Sequence, residues 1–315
     1  MRGKNTKVVI VGAGNVGSTT AFSIVQQGLC EELVLIDRNR EKAEGESMDL
    51  RHSISFMNRN MKVKAGDYTD CEDADIVIIT ASAPMDPNAN DRLKMLDVSK
   101  QIMKSIIENI MENHFSGILL VVSNPVDIMT YYAWKLSGLP EKQVIGSGTT
   151  LDSARMAEQV AEIFDLDAHS VNVYVIGEHG DSEMVCWSSA TVGGKSIADV
   201  IRDNHSRAGS ITLEELRQST VKAGWDVFHR KGNTSYGIAA SITGIVKAIL
   251  FDENKIYPVS VCLRGEYDLQ DVYISVPTII NQTGAKEIVE IKLTQDEEEK
   301  LKKSAEVIRS CYKLL

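Results

Sequence analysis

The sequence predicts an α/β protein: a doubly wound parallel sheet in the first part, followed by an α+β second part. Two observations carry this prediction. Up to residue 146, short runs rich in β-branched residues alternate with longer segments of helical periodicity, which is typical of right-handed βαβ units. After residue 147 the alternation gives way to a mixture of strands and helices. We therefore expect two domains, 1–147 and 148–315.

The elements of the first domain follow from its apolar runs. The continuous runs at 75–80 and 117–122 are typical of strands buried on both faces, whereas the pattern at 62–65 is weak. The predicted strands are 7–11, 32–36, 62–65, 75–80 and 117–122. The predicted helices between them are 16–27, 41–55 and 93–113.

The second domain has fewer clear signals. We expect a helix at 151–164, a strand at 171–176 and a hairpin formed by 256–262 and 271–277. A C-terminal helix should begin after Thr294, which suits an N-cap. The acidic run 296–299 in its first turns and the lysines further on match the helix dipole.

Composition excludes several kinds of protein. The 315 residues carry a net charge of −10, which disfavours nucleic-acid binding because phosphates need clustered cations. No apolar run approaches the roughly 20 residues of a membrane helix, and the run after the N-terminal cations breaks at Gly12, too early for a signal peptide. We expect a cytoplasmic protein. The five scattered cysteines indicate neither disulfides nor zinc, and no metal is predicted.

Residues 12–17, with the sequence Gly-Ala-Gly-Asn-Val-Gly, lie directly after a predicted strand and before a predicted helix. This pattern also occurs in ordinary turns, but its context here is the one that dinucleotide binding requires. Gly12 permits the tight turn, Gly14 lets the backbone approach a pyrophosphate, and Gly17 allows close helix packing. The helix N-terminus offers free N–H groups to the phosphates. The first domain is therefore predicted to be of the Rossmann type.

Asp37 ends the second predicted strand, 20 residues after Gly17. A carboxylate at this position accepts hydrogen bonds from the adenosine ribose and repels a 2′-phosphate. We therefore predict NAD as the cofactor. The adjacent Arg38 leaves NADP as the weaker alternative.

Three residues of the second domain are candidates for chemistry. His179 lies between glycines in the run 176–182, and a turn of this kind is accessible from outside. A histidine by itself is more often structural. Asp152 and Arg155 are three residues apart at the start of a predicted helix, hence on one face. Their spacing alone fits a simple intrahelical salt bridge equally well.

Taken together, four segments resemble the L-lactate/malate dehydrogenase family: 12–17, 123–127, 148–155 and 177–183. They occur in the right order and at matching intervals, and the likeness extends from Lys7 to the C-terminal helix. It is closest to the bacterial L-lactate and L-2-hydroxyisocaproate dehydrogenases. The resemblance implies hydride transfer between NAD and a small 2-oxo or 2-hydroxy acid, in a homo-oligomer that is a tetramer or a dimer.

The resemblance also implies a role for each candidate. His179 would be the general acid for reduction and the base for oxidation, and Asp152 would orient its ring and stabilise the imidazolium. Arg155 would hold the substrate carboxylate through a bidentate pair. Arg92, at the end of the lid segment 81–92, would polarise the carbonyl. Reduction of a 2-oxo acid requires each of these contributions.

Further positions are implied around substrate and cofactor. Asn124 would hydrogen-bond the substrate oxygen, Thr234 would line the acyl pocket and Ile238 would lie behind the nicotinamide. The full set of implied cofactor-binding residues is Gly12, Gly14, Asn15, Val16, Gly17, Asp37, Thr80, Ala81, Ser123, Asn124 and Ile238.

Met85 departs from the family pattern. It aligns with the lid residue that selects the substrate, which is Gln in lactate enzymes and Arg in malate enzymes. The loop is one residue longer than the commoner lactate pattern, so the alignment can be shifted by one position. A methionine pairs no second carboxylate, which disfavours malate but suits pyruvate's methyl group or a larger aliphatic chain.

Four functions are left open. The first is a lactate-type dehydrogenase that converts pyruvate to L-lactate, and the second is a broader L-2-hydroxy-acid dehydrogenase. Malate dehydrogenase ranks third. The fourth, of a different class, is a non-catalytic NAD-binding protein, since a fold alone does not give a function. The joint presence of His179, Asp152, Arg155 and Arg92 favours an enzyme.

Overall fold

The structure, a computed structural model, describes residues 6–82 and 92–315, with the side chains of 92–95 excepted. Its strands are β1 Lys7–Val11, β2 Glu32–Ile36, β3 Lys62–Ala65, β4 Ile76–Ile79, β5 Ile118–Val121, β6 Val144–Gly146, β7 Val171–Asn172, β8 Val175–Ile176, β9 Met184–Val185, β10 Thr191–Val192, β11 Lys195–Ser196, β12 Lys255–Arg264, β13 Gln270–Asn281 and β14 Gly284–Ile288. Its helices are α1 Asn15–Gln27, α2 Arg40–Ser53, α3 Arg92–Glu112, α4 Val126–Ser137, α5 Thr150–Phe164, α6 Ile197–Asp203, α7 His205–Ala208, α8 Leu213–Lys231, α9 Tyr236–Leu250 and α10 Gln295–Tyr312.

The centre of the fold is a nine-stranded sheet in the order β14-β13-β12-β6-β5-β4-β1-β2-β3. The six strands from β3 to β6 are parallel. Their order, 3-2-1-4-5-6, reverses between β1 and β4. In open parallel sheets such a reversal opens a crevice at the carboxyl ends of the strands, where ligands bind. The predicted doubly wound sheet is confirmed.

The second part of the chain extends the same sheet. Strand β12 runs antiparallel to β6, with Ser260 opposite Gly146, and β13 and β14 follow as antiparallel neighbours. Two small antiparallel sheets, β7-β10-β11 and β8-β9, complete the α+β part. The sheet therefore runs across the predicted boundary at 147/148, and that boundary stays a prediction.

The second part also corrects the predicted strand at 171–176. The structure has two short strands there, β7 and β8, because the chain pairs first with β10 and then with β9 in a different sheet. The predicted hairpin is present, but its strands are longer, and β14 was not predicted. The predicted C-terminal helix is present as α10, and Thr294 and Glu297 form a capping box at its start.

Two apolar cores hold these elements. The larger is formed by the central sheet and its flanking helices, with Ile10, Leu33, Ile78 and Leu119 fully buried. The smaller lies around α5 and includes Met156. The five cysteines are free, and four of them are buried. Among the described residues, no helix is long and apolar enough to cross a membrane.

Candidate active site

The glycine loop lies at the carboxyl end of β1 and is shaped by close backbone contacts. Gly12 has φ of +109°, and a β-carbon there would lie 2.6 Å from the backbone nitrogen of Ala81. A β-carbon on Gly17 would lie 1.8 Å from the Gly12 carbonyl oxygen, so only glycine lets α1 approach the loop. At Gly14, by contrast, none of the described residues lies within 4 Å of that position. The loop therefore has open space on the side where a pyrophosphate would approach.

Hydrogen bonds connect this loop to the neighbouring strands. Thr80 Oγ1 donates to the Gly12 carbonyl at 2.8 Å, and Ser123 Oγ donates to the Ala81 carbonyl at 2.6 Å. The Ala13 N–H donates to Asp37 Oδ2 at 2.7 Å, which fixes that carboxylate beside the loop. Five of the predicted cofactor residues therefore belong to one hydrogen-bonded edge at the switch point of the sheet: Gly12, Asp37, Thr80, Ala81 and Ser123.

The start of α1 is suited to an anion. Its first turn begins at Asn15 and Val16, and its N-cap, Gly14, makes no side-chain cap bond. The first N–H groups of a helix lack partners within the helix, and the helix dipole favours negative charge at this end. The residues present thus fit the pyrophosphate of a dinucleotide.

Three further predicted residues are placed by the elements next to them. Asn124 is exposed between β5 and α4, and Ile238 lies in the first turn of α9, which packs against α1. Thr234 is half-buried just before α9. A β-carbon at Gly237 would lie 2.8 Å from Leu151 Cδ1, so the start of α9 contacts the start of α5. This contact brings the segment of Thr234 next to the helix that carries Asp152.

The second part of the chain places His179, Asp152 and Arg155 in one chain of contacts. His179 Nδ1 lies 2.6 Å from Asp152 Oδ2, and Arg155 Nη1 donates to Asp152 Oδ1 at 2.8 Å. The side chain of Asp152 is 2% exposed, that of Arg155 18% and that of His179 28%. A buried carboxylate therefore joins two partly accessible cationic groups. The simple salt bridge allowed by the spacing is present, and it belongs to this larger cluster.

The charges of these groups support one another. The negative charge of Asp152 has the largest effect on His179 and, against the opposing effect of burial, raises the pKa of the imidazole to about 9. Burial alone would raise the pKa of Asp152, but the charges and hydrogen bonds of His179 and Arg155 hold it below its ordinary value. The pair consequently has the form of an imidazolium and a carboxylate at neutral pH.

Asp127 is a residue of this site that the sequence analysis gave no role. The backbone N–H of His179 donates to Asp127 Oδ2 at 2.8 Å, and Ser275 Oγ donates to Asp127 Oδ1 at 3.2 Å. Burial raises the pKa of Asp127 to about 6. The carboxylate thus joins α4 and β13 to the turn that holds His179. Asp127 belongs to the segment 123–127 that carries the resemblance, but its contact with His179 is visible only in the folded chain.

Glu183 is a second residue without a predicted role. It is 3% exposed and lies in the turn between β8 and β9. One of its carboxylate oxygens, a nitrogen of His179 and a carboxylate oxygen of Asp152 all lie within 4.8 Å of one another. Glu183 ends the segment 177–183 that carries the resemblance, but a buried glutamate in a polar turn has no distinctive spacing, so no role for it followed from the sequence.

Two predicted residues cannot be placed in this cluster. Arg92 is the first residue of α3, but its side chain lies outside the described residues. Met85 lies outside them altogether. Their predicted roles stay predictions.

Comparison with known proteins shows the family. Residues 6–146 match the domain family described as lactate/malate dehydrogenase, NAD binding domain. Residues 149–314 match lactate/malate dehydrogenase, alpha/beta C-terminal domain. The chain belongs to the lactate/malate dehydrogenase family. The resemblance stated from the four segments is thereby confirmed, as is NAD as the cofactor.

Relatives of this lactate/malate dehydrogenase family member match it from end to end. L-lactate dehydrogenase 3 of Bacillus thuringiensis subsp. konkukian is 48% identical over 315 residues, which cover 100% of this chain and 99% of that protein. L-lactate dehydrogenase 1 of Bifidobacterium longum is 47% identical over 310 residues, 98% of each chain.

Solved structures of lactate dehydrogenases are also similar to this chain over almost its whole length. The ligands-bound form of the minor L-lactate dehydrogenase from Enterococcus mundtii is 40% identical with a TM-score of 0.94, and the match covers 99% of this chain and 98% of that one. The lactate dehydrogenase MGS-M5 from a deep-sea metagenome library of the Medee basin is 44% identical with the same TM-score, and the match covers 99% of both chains. The predicted class, an NAD-dependent dehydrogenase acting on 2-hydroxy acids, is confirmed for the family. The role of each site residue stays a prediction.

Proposed function

We propose that this protein interconverts pyruvate and L-lactate with NADH and NAD⁺. The observation that carries the proposal is the His179–Asp152–Arg155 cluster, with contacts of 2.6 and 2.8 Å. It combines a proton donor with a cation for a carboxylate in one partly accessible place. Relatives named L-lactate dehydrogenase that match the whole chain support pyruvate as the substrate.

The chemistry divides between cofactor and protein. Bound NADH supplies the hydride, and the residues of the chain bind the acid and move the proton. Arg155 holds the carboxylate, and His179 donates a proton to the carbonyl oxygen as the hydroxyl forms. Asp152 keeps the imidazole oriented and stabilises its charged form. In the reverse direction neutral His179 takes the proton back.

The remaining predicted residues complete this proposal. Asn124 and Arg92 stabilise the charge that develops on the substrate oxygen, and Thr234 and Met85 line the side-chain pocket. Of these, the Arg92 side chain and Met85 lie outside the described residues. A group that stabilises charge only in the transition state raises turnover, not mere binding.

NADH oxidation with a panel of 2-oxo acids tests the proposal. We expect kcat/KM to be highest for pyruvate among pyruvate, 2-oxoisocaproate, phenylpyruvate and oxaloacetate. A higher value for 2-oxoisocaproate would instead identify the broader L-2-hydroxy-acid dehydrogenase. Turnover of none of them, together with intact NADH binding, would identify a non-catalytic NAD-binding protein.

Assembly and location are also proposals. We infer a homo-oligomer, a tetramer or a dimer, located in the cytoplasm. Phe56 is 88% exposed, Tyr236 75% and Trp225 53%, and an assembly would cover apolar surface of this kind. The molar mass from light scattering, measured as the protein elutes from a size-exclusion column, tests the assembly. A monomer at micromolar concentration contradicts it.

Cofactor preference gives a first prediction. Asp37→Ser should weaken NAD⁺ binding and narrow the preference for NAD⁺ over NADP⁺ by about tenfold or more, equivalent to ~1.4 kcal/mol. The reason is that the 2′-phosphate no longer meets a carboxylate. The measurement is kcat/KM for both cofactors. Since Asp37 also accepts from the Ala13 N–H, Asp37→Asn is the control, because it removes the charge but keeps an acceptor oxygen. Equal use of both cofactors by the wild type would contradict this role for Asp37.

Substrate selection by the lid gives a second prediction. Met85→Arg should raise the ratio of kcat/KM for oxaloacetate to that for pyruvate by about 5–150-fold, equivalent to about 1–3 kcal/mol. The reason is that a second carboxylate gains a paired cation. The register is tested with Pro84→Arg and Asp86→Arg. If one of these changes the ratio and Met85→Arg does not, the alignment is shifted by one residue. If none does, the lid does not select the substrate, and Thr234 is the next residue to change.

A further inference from the structure

The carboxyl group of Glu183 is an unusual neighbour for a proton-transfer pair. It is buried, and its Oε1 has no hydrogen-bond partner within the described residues. One of its oxygens lies within 4.8 Å of a ring nitrogen of His179 and within 4.8 Å of a carboxylate oxygen of Asp152. An unpaired buried carboxylate is costly, so such a group keeps a proton unless a cation compensates it.

The charged groups around Glu183 come from three directions. Helix α5 contributes Asp152 and Arg155, and the turn itself contributes His179 with Glu178 and Asp181 beside it. Helix α8 contributes Arg217. On the far side of His179, Asp127 of α4 accepts from the backbone N–H of that residue.

The two arginines in this environment are already engaged with other groups. Arg155 pairs with Asp152 at 2.8 Å. Arg217 pairs with Glu214, also at 2.8 Å. Its described contact with Glu183 is a hydrogen bond that it donates to the backbone carbonyl of that residue, at 3.2 Å. Neither guanidinium therefore forms an ion pair with the Glu183 carboxyl group. Among the described residues around this carboxyl, the imidazole of His179 is the cation that can gain or lose its charge near neutral pH.

We propose that Glu183 is a positioning residue of this site: it holds a proton of its own at neutral pH and, once ionised, stabilises the imidazolium form of His179. The proposal rests on the proposed role of His179 as acid and base. Electrostatics support it in both directions. Burial, with the charge of Asp152 adding to it, raises the pKa of Glu183 to about 8. The negative charge of Glu183 is in turn one of those that raise the pKa of His179.

A consequence follows for alkaline pH. Because the two groups interact, their protons leave in two overlapping steps that belong to the pair. Ionisation of Glu183 makes it harder for His179 to lose its proton, so the imidazolium needed for reduction persists to higher pH. Without the Glu183 carboxyl group, His179 loses its proton at lower pH.

Glu183→Gln tests this with two readouts, kcat/KM for pyruvate against pH and the NMR titration of the His179 ring nitrogens in the enzyme without substrate. We expect both to move to lower pH by about half a pH unit, so that the ratio of activity at pH 9 to that at pH 7 falls by about twofold for a pKa that starts near 9. Glu183→Asp should restore part of the shift. Glu178→Gln is the matched control, because it removes a neighbouring carboxylate from the same turn and should leave both profiles in place.

An unchanged His179 titration in Glu183→Gln overturns the proposal, as does an equal shift in Glu178→Gln. The NMR readout needs no turnover, so it separates failure of this inference from failure of the proposed function, which the panel of oxo acids decides. Should Glu183→Gln not fold, the wild type with ¹³C-labelled glutamate carboxyl groups gives the answer. One carboxyl should titrate above pH 7, and titration of every glutamate below pH 6 overturns the proposal.

Discussion

Replacing His179 with Ala or Asn should lower kcat for pyruvate reduction by about 10²–10⁴-fold, the usual contribution of a positioned general acid. NADH binding should survive, because the predicted cofactor edge is built from the first part of the chain, where Thr80 bonds to the Gly12 carbonyl and Ser123 to the Ala81 carbonyl. The measurement is steady-state turnover together with a fluorescence titration of NADH. A variant that has lost turnover but still binds NADH shows that the proton donor alone has been removed.

The chain offers a matched control for this experiment. His169 Nδ1 lies 2.7 Å from Asp167 Oδ1, nearly the geometry of the His179–Asp152 pair, but the two side chains are 96% and 70% exposed. His169→Ala removes an equivalent contact from the surface and should leave kcat unchanged. Near-normal activity of His179→Ala would rule out the proposed proton transfer.

The direction of the pH dependence belongs to the same prediction. The pKa of His179 is raised to about 9, mainly by the charge of Asp152. Reduction of the 2-oxo acid uses the imidazolium, so its kcat/KM should be constant near neutral pH and fall as the pH rises through about 9. Oxidation of the 2-hydroxy acid uses the neutral ring and should rise over the same interval. His179→Asn should abolish both limbs.

The features that could be predicted from the sequence are those with local causes. The glycine loop depends on neighbouring backbone atoms, as the positive φ of Gly12 and the 1.8 Å approach at Gly17 show. The parallel strands follow from their own apolar composition. The C-terminal helix follows from the capping box at Thr294. In each case the residues that determine the structure lie close together in the chain.

What was missed depends on distant contacts. Asp127 supports His179 from 52 residues away, and Glu183 matters because burial, which the sequence does not display, leaves its Oε1 without a hydrogen-bonded partner among the described residues. The strand at 171–176 was wrong for the same reason, since its two halves pair with different strands. Asp152 and Arg155 show the limit most clearly. Their spacing fitted a salt bridge or a site, and the structure shows the salt bridge in direct contact with His179.

The second large effect concerns recognition of the substrate carboxylate by Arg155. Within the part of the chain that the structure describes, only its Nη1 forms a hydrogen bond, to Asp152 Oδ1 at 2.8 Å. On its other side lies Gly224 of α8, where even a β-carbon would stay 3.5 Å from Nη2. The guanidinium can therefore keep Asp152 and still present N–H groups to an incoming carboxylate, which a single ammonium cannot do with the same geometry.

Arg155→Lys should therefore raise KM for pyruvate by about 10–150-fold, the range that corresponds to losing a charge-assisted hydrogen bond of about 1.5–3 kcal/mol. The kcat should change less, because the acid–base pair stays in place. The matched control is Arg202→Lys: Arg202 pairs with Asp199 at 2.6 Å with the same three-residue spacing, but on the surface of α6. Its KM should equal that of the wild type. If KM is unchanged in Arg155→Lys as well, Arg155 serves the helix and not the substrate, and the carboxylate must be held by another cation.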